Sequence, residues 1–225
     1  MAENSVSYSQ FSMYMQCPRK WELEYIHNNR SFEQSIHTIF GTAMHETLQN
    51  FPTKQHELVG IEIELKLPLK NNVTFKGFID IVIKDNRVGR YKVLDFKTST
   101  RGWNKYQKAD KSKTAQLILY KEFYARQLGI DPELIDVEYI ILRRKINEDS
   151  DFPMKRIQTF APASGKPSRN KIGTSLVEFV GTGFNEDGTH NKDVEYPAYK
   201  SSSCKYCKYK DNDELCPAAK RMIGE

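Results

Sequence analysis

Along this chain of 225 residues the apolar positions change period several times, and each change predicts an element. Ser7 or Ser9 can cap a first helix carrying Phe11, Tyr14, Met15, Trp21 and Tyr25 at roughly helical spacing. A second helix is predicted over residues 32–50, burying Ile36, Ile39, Phe40, Ala43, Thr47 and Leu48, with Pro52 just beyond it. Ile61, Ile63, Leu65 and Leu67 then alternate with Glu62, Glu64 and Lys66, which is the pattern of a half-buried strand stopped by Pro68. Asn71-Asn72 turns the chain into a strand over 73–84, and residues 85–89 turn it again into a strand over 91–98. A long helix follows over 112–128, ended by Gly129. Strands over 137–142 and 155–160 and a helix over 172–180 complete the regular elements, while 147–151, 161–170 and 185–192 read as the least ordered stretches. The order helix, helix, three antiparallel strands, helix, strand predicts a mixed α/β domain with an irregular tail.

Composition narrows the class only a little. Charged residues are 28% and hydrophobic ones 39%, an ordinary globular balance. The net charge of +5 and pI near 8.9 suit a polyanionic partner without demanding one. No apolar run approaches the ~18 residues of a membrane span, and the first residues lack a signal-peptide core, so a cytoplasmic protein is expected. Four cysteines in a reducing compartment are expected to be thiols.

The chemistry lies in the second and third predicted strands. Asp80 sits inside the run Phe78 to Ile83, and Asp95 follows Val93 and Leu94. Desolvating a lone carboxylate in such a place costs several kcal/mol, and a bound divalent cation would offset that. Side chains two apart on a strand share a face, so Lys97 points with Asp95 while Phe96 points into the opposite layer. Two carboxylates suit Mg²⁺ or Mn²⁺, and the lysine suits an attacking water or a negatively charged phosphate. An isolated Asp-x-Lys is more often an exposed pair on a sheet edge; the apolar context of Asp80 is what argues otherwise here. On the following helix Gln116 and Tyr120 are four apart and share a face. His45 is a lone helical histidine, usually structural, and becomes a plausible third ligand only because the carboxylates need partners.

The order Gly41…His45, Gly77-x-x-Asp80, Asp95-x-Lys97, Gln116-x-x-x-Tyr120 resembles the RecB-type branch of the PD-(D/E)XK nuclease superfamily. The opening Tyr8-Ser9-Gln10-Phe11…Cys17-Pro18-Arg19-Lys20-Trp21 is similar to that branch's first helix, and the likeness extends from about residue 7 to 218. The resemblance implies one nuclease domain over 1–225, with a restriction-endonuclease-like core at about 31–160 and a mixed central sheet flanked by helices. It implies His45, Asp80, Asp95 and the Phe96 carbonyl as metal ligands, Lys97 as the catalytic lysine, and Gln116 and Tyr120 as the helix motif.

Cys204-x-x-Cys207 followed by Cys216-Pro217 is a soft-metal spacing short of a fourth ligand, and Cys17 is the remaining thiol. Closing that site would join residues 7–27 to 196–220. Four cysteines hold Zn²⁺ or a [4Fe-4S] cluster equally well by spacing. One early cysteine with a late trio resembles the iron–sulfur subset of RecB-like nucleases, which includes the AddB-type nuclease domain and the CRISPR-associated adaptation nuclease. That resemblance favours the cluster.

Arg101, Lys105, Lys108, Lys111 and Lys113 follow the catalytic strand, interleaved with Trp103 and Tyr106, a mixture of cations and aromatics suited to single-stranded nucleic acid as well as to an ordinary solvated loop. Arg143, Arg144 and Lys145 at a strand end, and Lys166, Arg169 and Lys171 in a loop, are similar candidates. Ser164-Gly165-Lys166-Pro167-Ser168 is not a phosphate loop, because Phe160 replaces the first glycine and Pro167 interrupts the Lys-Ser pair. The resemblance therefore implies a stand-alone DNA exonuclease acting on single-stranded or free ends in recombination, repair or DNA turnover, in a bacterial, archaeal or phage-infected cell, alongside recombination or replication proteins. A nuclease trimming DNA for CRISPR integration, an inactive DNA-binding scaffold, and a zinc-stapled binding module are the rival readings.

Overall fold

A computed structural model describes residues 4–30, 57–145 and 155–223. The expected helix over 32–50, and His45 with it, lies outside the described residues. In chain order the elements are β1 (Asn4–Ser7), α1 (Tyr8–Gln16), α2 (Pro18–Trp21), β2 (Glu57–Pro68), β3 (Val73–Asp85), β4 (Arg90–Ser99), α3 (Lys105–Ala109), α4 (Lys111–Leu128), β5 (Ile135–Arg143), β6 (Ile157–Phe160), α5 (Lys166–Gly183), β7 (Ala198–Lys200) and β8 (Arg221–Ile223). They fall into two units. One comprises Met1–Phe32, Lys66–Lys76 and Thr174–Glu225, the other Glu33–Leu65 and Gly77–Gly173.

In the second unit, β3 pairs antiparallel with β4, from Asp85 opposite Arg90 to Ile81 opposite Leu94. β4 pairs parallel with β5, Tyr91 opposite Ile135 through Ser99 opposite Arg143, and β6 closes antiparallel on β5. β2 also pairs with β3. The sheet is thus mixed, as the family resemblance implies. Parallel strands need a long crossover, and α4 supplies it. Asp110 caps α4 by accepting from Ser112 N–H at 2.9 Å, and Gly129 ends it in the left-handed region at φ +67°. The face of the sheet opposite Asp95 and Lys97 is apolar and buried: Ile81, Ile83 and Phe96 pack together with Ile61, Leu94 and Ile140.

Tyr139 of β5 fixes how α4 lies on the sheet. Its hydroxyl donates to the Lys113 carbonyl at 2.9 Å and accepts from Leu117 N–H at 3.3 Å, bridging one helical turn. The loop after β4 is held by Gly102 at φ +87°, where an added Cβ would lie 2.7 Å from both Arg143 Nε and Gln158 Oε1. Gln158 Oε1 already accepts the Trp103 N–H at 2.7 Å. Gly102→Ala is therefore expected to destabilise the chain by about 1–2 kcal/mol, lowering the melting temperature by roughly 2–8 °C; an unchanged thermal melt would contradict this.

In the first unit, β1 runs parallel to the opening residues of β3, Asn4 opposite Val73 through Ser7 opposite Lys76. The first helix is shorter than its apolar spacing predicts. Ser7 caps it, but Cys17 adopts φ −166°, ψ 105°, because a residue before proline is pushed out of the helical region. Pro18 then opens α2, and Glu22–Ile26 follow as a π-helical turn. Trp21, Phe11 and Phe179 are fully buried; Trp21 meets Phe179 edge-on with centroids 5.2 Å apart, and Tyr14 packs on Phe179 at 4.7 Å. Asn71 and Asn72 both take positive φ, forming the two-residue turn the sequence predicts, and Asn71 Nδ2 donates to the Phe184 carbonyl at 2.6 Å. The helix expected over 172–180 is α5 and begins at Lys166, inside a stretch expected to be irregular. Pro167 suits a first turn, its missing N–H being unpaired there in any case.

Candidate active site

The register of β3 on β4 brings the two acids together. One step past the last pair, Ile81 with Leu94, Asp80 stands across from Asp95. The Phe96 N–H donates to Asp80 Oδ2 at 2.7 Å. Both side chains are buried, Asp95 at 1% exposure and Asp80 at 8%. Lys97 is two residues beyond Asp95 on the same face, and its Nζ lies 2.6 Å from Asp95 Oδ2 while the side chain keeps a third of its surface exposed. Apart from this ion pair, neither buried oxygen of Asp95 has a hydrogen-bond partner among the described residues.

Helix α4 covers this face. Gln116 Nε2 donates to the Tyr120 hydroxyl at 3.2 Å. Burial pushes the Tyr120 phenol up to about 12, with Asp95 and Asp80 adding to the rise and hydrogen bonds from Gln116 and the Phe78 backbone opposing it. Tyr120 is therefore a neutral hydroxyl at physiological pH, within the field of both carboxylates. Asp80, Asp95, Lys97, Gln116 and Tyr120 are thus gathered at one place. Phe96 contributes its N–H to the site and its ring to the apolar layer behind it.

Two buried carboxylates side by side, balanced by a single part-exposed ammonium, are the condition a hard cation relieves. The donor set fits Mg²⁺ or Mn²⁺ for that reason. Asp80 and Asp95 supply two ligand groups; among the described residues no group of three or more His, Cys, Asp or Glu side chains is arranged to hold a metal.

The four thiols belong to the other unit. Cys17, Cys204, Cys207 and Cys216 are free and half-buried and line one cavity. Burial pushes the Cys17 thiol up, with Cys216 and Cys207 adding to it against hydrogen bonds from the Tyr199 and Lys20 backbone. The segments carrying them meet: Arg19 Nε donates to the Leu215 carbonyl at 2.9 Å, and the Tyr209 hydroxyl to Glu24 Oε1 at 3.1 Å. The thiols share a cavity without forming a closed ligand set.

Of the residues expected to touch nucleic acid, Arg101, Lys105 and Tyr106 are exposed. Trp103 is not: it is buried, its ring 5.0 Å from that of Tyr139, and as placed it is a core residue that cannot stack on a base. Arg169 is likewise held inside, bonded to Glu122 at 3.0 Å and Glu133 at 2.7 Å. Sequence reasoning missed Phe78, which is 52% exposed on β3; its place two residues before Asp80 was the signal that would have found it.

The match to known proteins agrees with this geometry. The chain belongs to the PD-(D/E)XK nuclease superfamily, whose model matches residues 5–58 and 52–216. No curated protein sequence matches it significantly. Among solved structures it is similar to SSO0001, at 17% identity and a TM-score of 0.51, covering 99% of this chain and 89% of that one. It is also similar to a Eubacterium rectale protein assigned as a candidate exonuclease, at 11% identity and a TM-score of 0.51, covering 92% and 87%. These likenesses speak for the fold; the family speaks for a nuclease acting on DNA. No described helix is long and apolar enough to cross a membrane.

Proposed function

We propose that the chain is a Mg²⁺- or Mn²⁺-dependent deoxyribonuclease that trims DNA at single-stranded or free ends. The observation that carries this reading is the pair Asp80 and Asp95, buried together, with Lys97 Nζ 2.6 Å from Asp95 and no hydrogen bond to either Asp95 oxygen among the described residues. A divalent ion bound by these acids would lower the pKa of a water and offset charge on the reacting phosphate. His45 and the Phe96 carbonyl would complete its ligands, as the family resemblance implies. Lys97 would donate to the attacking water or a non-bridging phosphate oxygen. Tyr120, kept neutral, would donate a proton in a hydrogen bond while Gln116 holds its oxygen. Exonuclease action is in keeping with the assignment of the Eubacterium rectale neighbour.

We read residues 1–225 as one nuclease in service of recombination, repair or DNA turnover in the cytoplasm of a bacterium, archaeon or phage-infected cell, with recombination or replication proteins as partners. The test is incubation with Mn²⁺ and end-labelled single-stranded DNA, duplex DNA and RNA. Progressive shortening of the single strand is expected; products cut only from within, or only from RNA, would contradict the reading.

The cysteine cavity is proposed to hold a [4Fe-4S] cluster that clamps the first helices to the tail, with Zn²⁺ as the alternative occupant. Protein purified without oxygen is expected to contain about four irons per chain, lost in Cys216→Ser. About one zinc and no iron would assign the site to zinc.

A further inference from the structure

Resting on the nuclease reading above, we propose that Phe78 is a stacking platform for an unpaired nucleobase next to the phosphate held at Asp80, Asp95 and Lys97, and so makes the site select single-stranded DNA. Alternation along β3 puts Phe78 on the face of Asp80. Extending the observed register, in which Ile81 opposes Leu94, puts Asp80 across from Asp95 and Phe78 across from Lys97, beyond the end of the strand pairing. The exposed Phe78 and Lys97 thus occupy the same face of the sheet, on either side of the two acids. Its neighbours Gly77 and Ile79 are buried, whereas Phe78 keeps 52% of its surface in solvent. Scattered apolar residues on a surface are ordinary, but this one stands at the carboxylates. Its backbone is also hydrogen-bonded to the Tyr120 hydroxyl, so the ring is carried by a fixed main chain.

The charges beyond the site agree. At and beyond the C-terminal ends of β4 and β5, and just before β6, lie Arg101, Arg143, Arg144, Lys145 and Arg156, none of which forms an ion pair with an acid among the described residues. Arg144 Nη2 bonds Thr100 Oγ1 at 2.8 Å, and Arg156 Nη1 bonds the Arg143 and Arg144 carbonyls at 3.3 and 3.2 Å. Cations that pair with no acid among the described residues suit the phosphates of a strand leading away from Lys97, while an exposed aromatic ring suits a base that is not paired. A duplex would have to unstack before it could use Phe78.

The test compares wild type, Phe78→Ala and Phe78→Trp on a single-stranded oligonucleotide and on the same strand made abasic. Binding is measured in Ca²⁺ and cleavage in Mn²⁺. Wild type is expected to bind the abasic strand about ten-fold more weakly. Phe78→Ala should bind both strands alike, at the abasic level, and Phe78→Trp should restore the preference. Equal binding of the two strands by wild type, or a preference that survives in Phe78→Ala, would overturn the proposal. Absence of cleavage by wild type would sink the nuclease reading separately, and the Ca²⁺ binding comparison would still decide the role of Phe78.

Discussion

Lys97→Ala is expected to cut DNA about 10²–10³-fold more slowly than wild type, with KM little changed, since one donor aimed at developing charge is worth that much. The same substitution should weaken the metal-free protein. Lys97 Nζ is the cation beside Asp95, and its loss leaves a carboxylate buried at 1% exposure with neither counter-charge nor hydrogen bond among the described residues. Removing one member of a fully buried pair costs ~3–5 kcal/mol; Lys97 is a third exposed, so about 1–2 kcal/mol is expected. Added Mn²⁺ should recover that stability and more, because the ion would then replace the missing charge. A variant that cleaves at the wild-type rate would remove Lys97 from the chemistry.

Asp95→Asn is expected to behave in the opposite way. The amide keeps the shape of the side chain but takes away a buried charge that only the part-exposed Lys97 balances, so the metal-free melting temperature should hold or rise. Mn²⁺, which should stabilise wild type by about 2.7 kcal/mol at a hundred times its Kd, should leave this variant's melt unmoved, and cleavage should vanish. Together the two variants separate the roles: one keeps the metal and loses the chemistry, the other loses both. A melt of Asp95→Asn that still rises with Mn²⁺ would mean that the ion is held elsewhere.

The parts of this site that can be read from sequence are those governed by short periods. Asp95 and Lys97 share a face by strand alternation, Gln116 and Tyr120 by the helical turn, and the Asn71-Asn72 turn follows from side chains that tolerate positive φ. What escapes is set by tertiary contact. Trp103 has the composition of a nucleic-acid loop, yet Tyr139, far along the chain, gives it a place in the core. Helix α5 begins six residues earlier than its apolar spacing suggests because Arg169 in its first turns is fixed by Glu122 and Glu133. Phe78 reads as one more strand-forming residue, and only the end of the β3–β4 ladder leaves its ring outside. The break at Cys17 was written in Pro18 and was hidden by the aromatic spacing that continues across it.

The most direct test of the account is the rate at which wild-type protein, purified without oxygen, shortens an end-labelled single strand in Mn²⁺, set beside the same protein in EDTA. Rapid release of label is expected in Mn²⁺ and none in EDTA. Cleavage that persists in EDTA, or its absence in Mn²⁺ while the strand is bound, would contradict it.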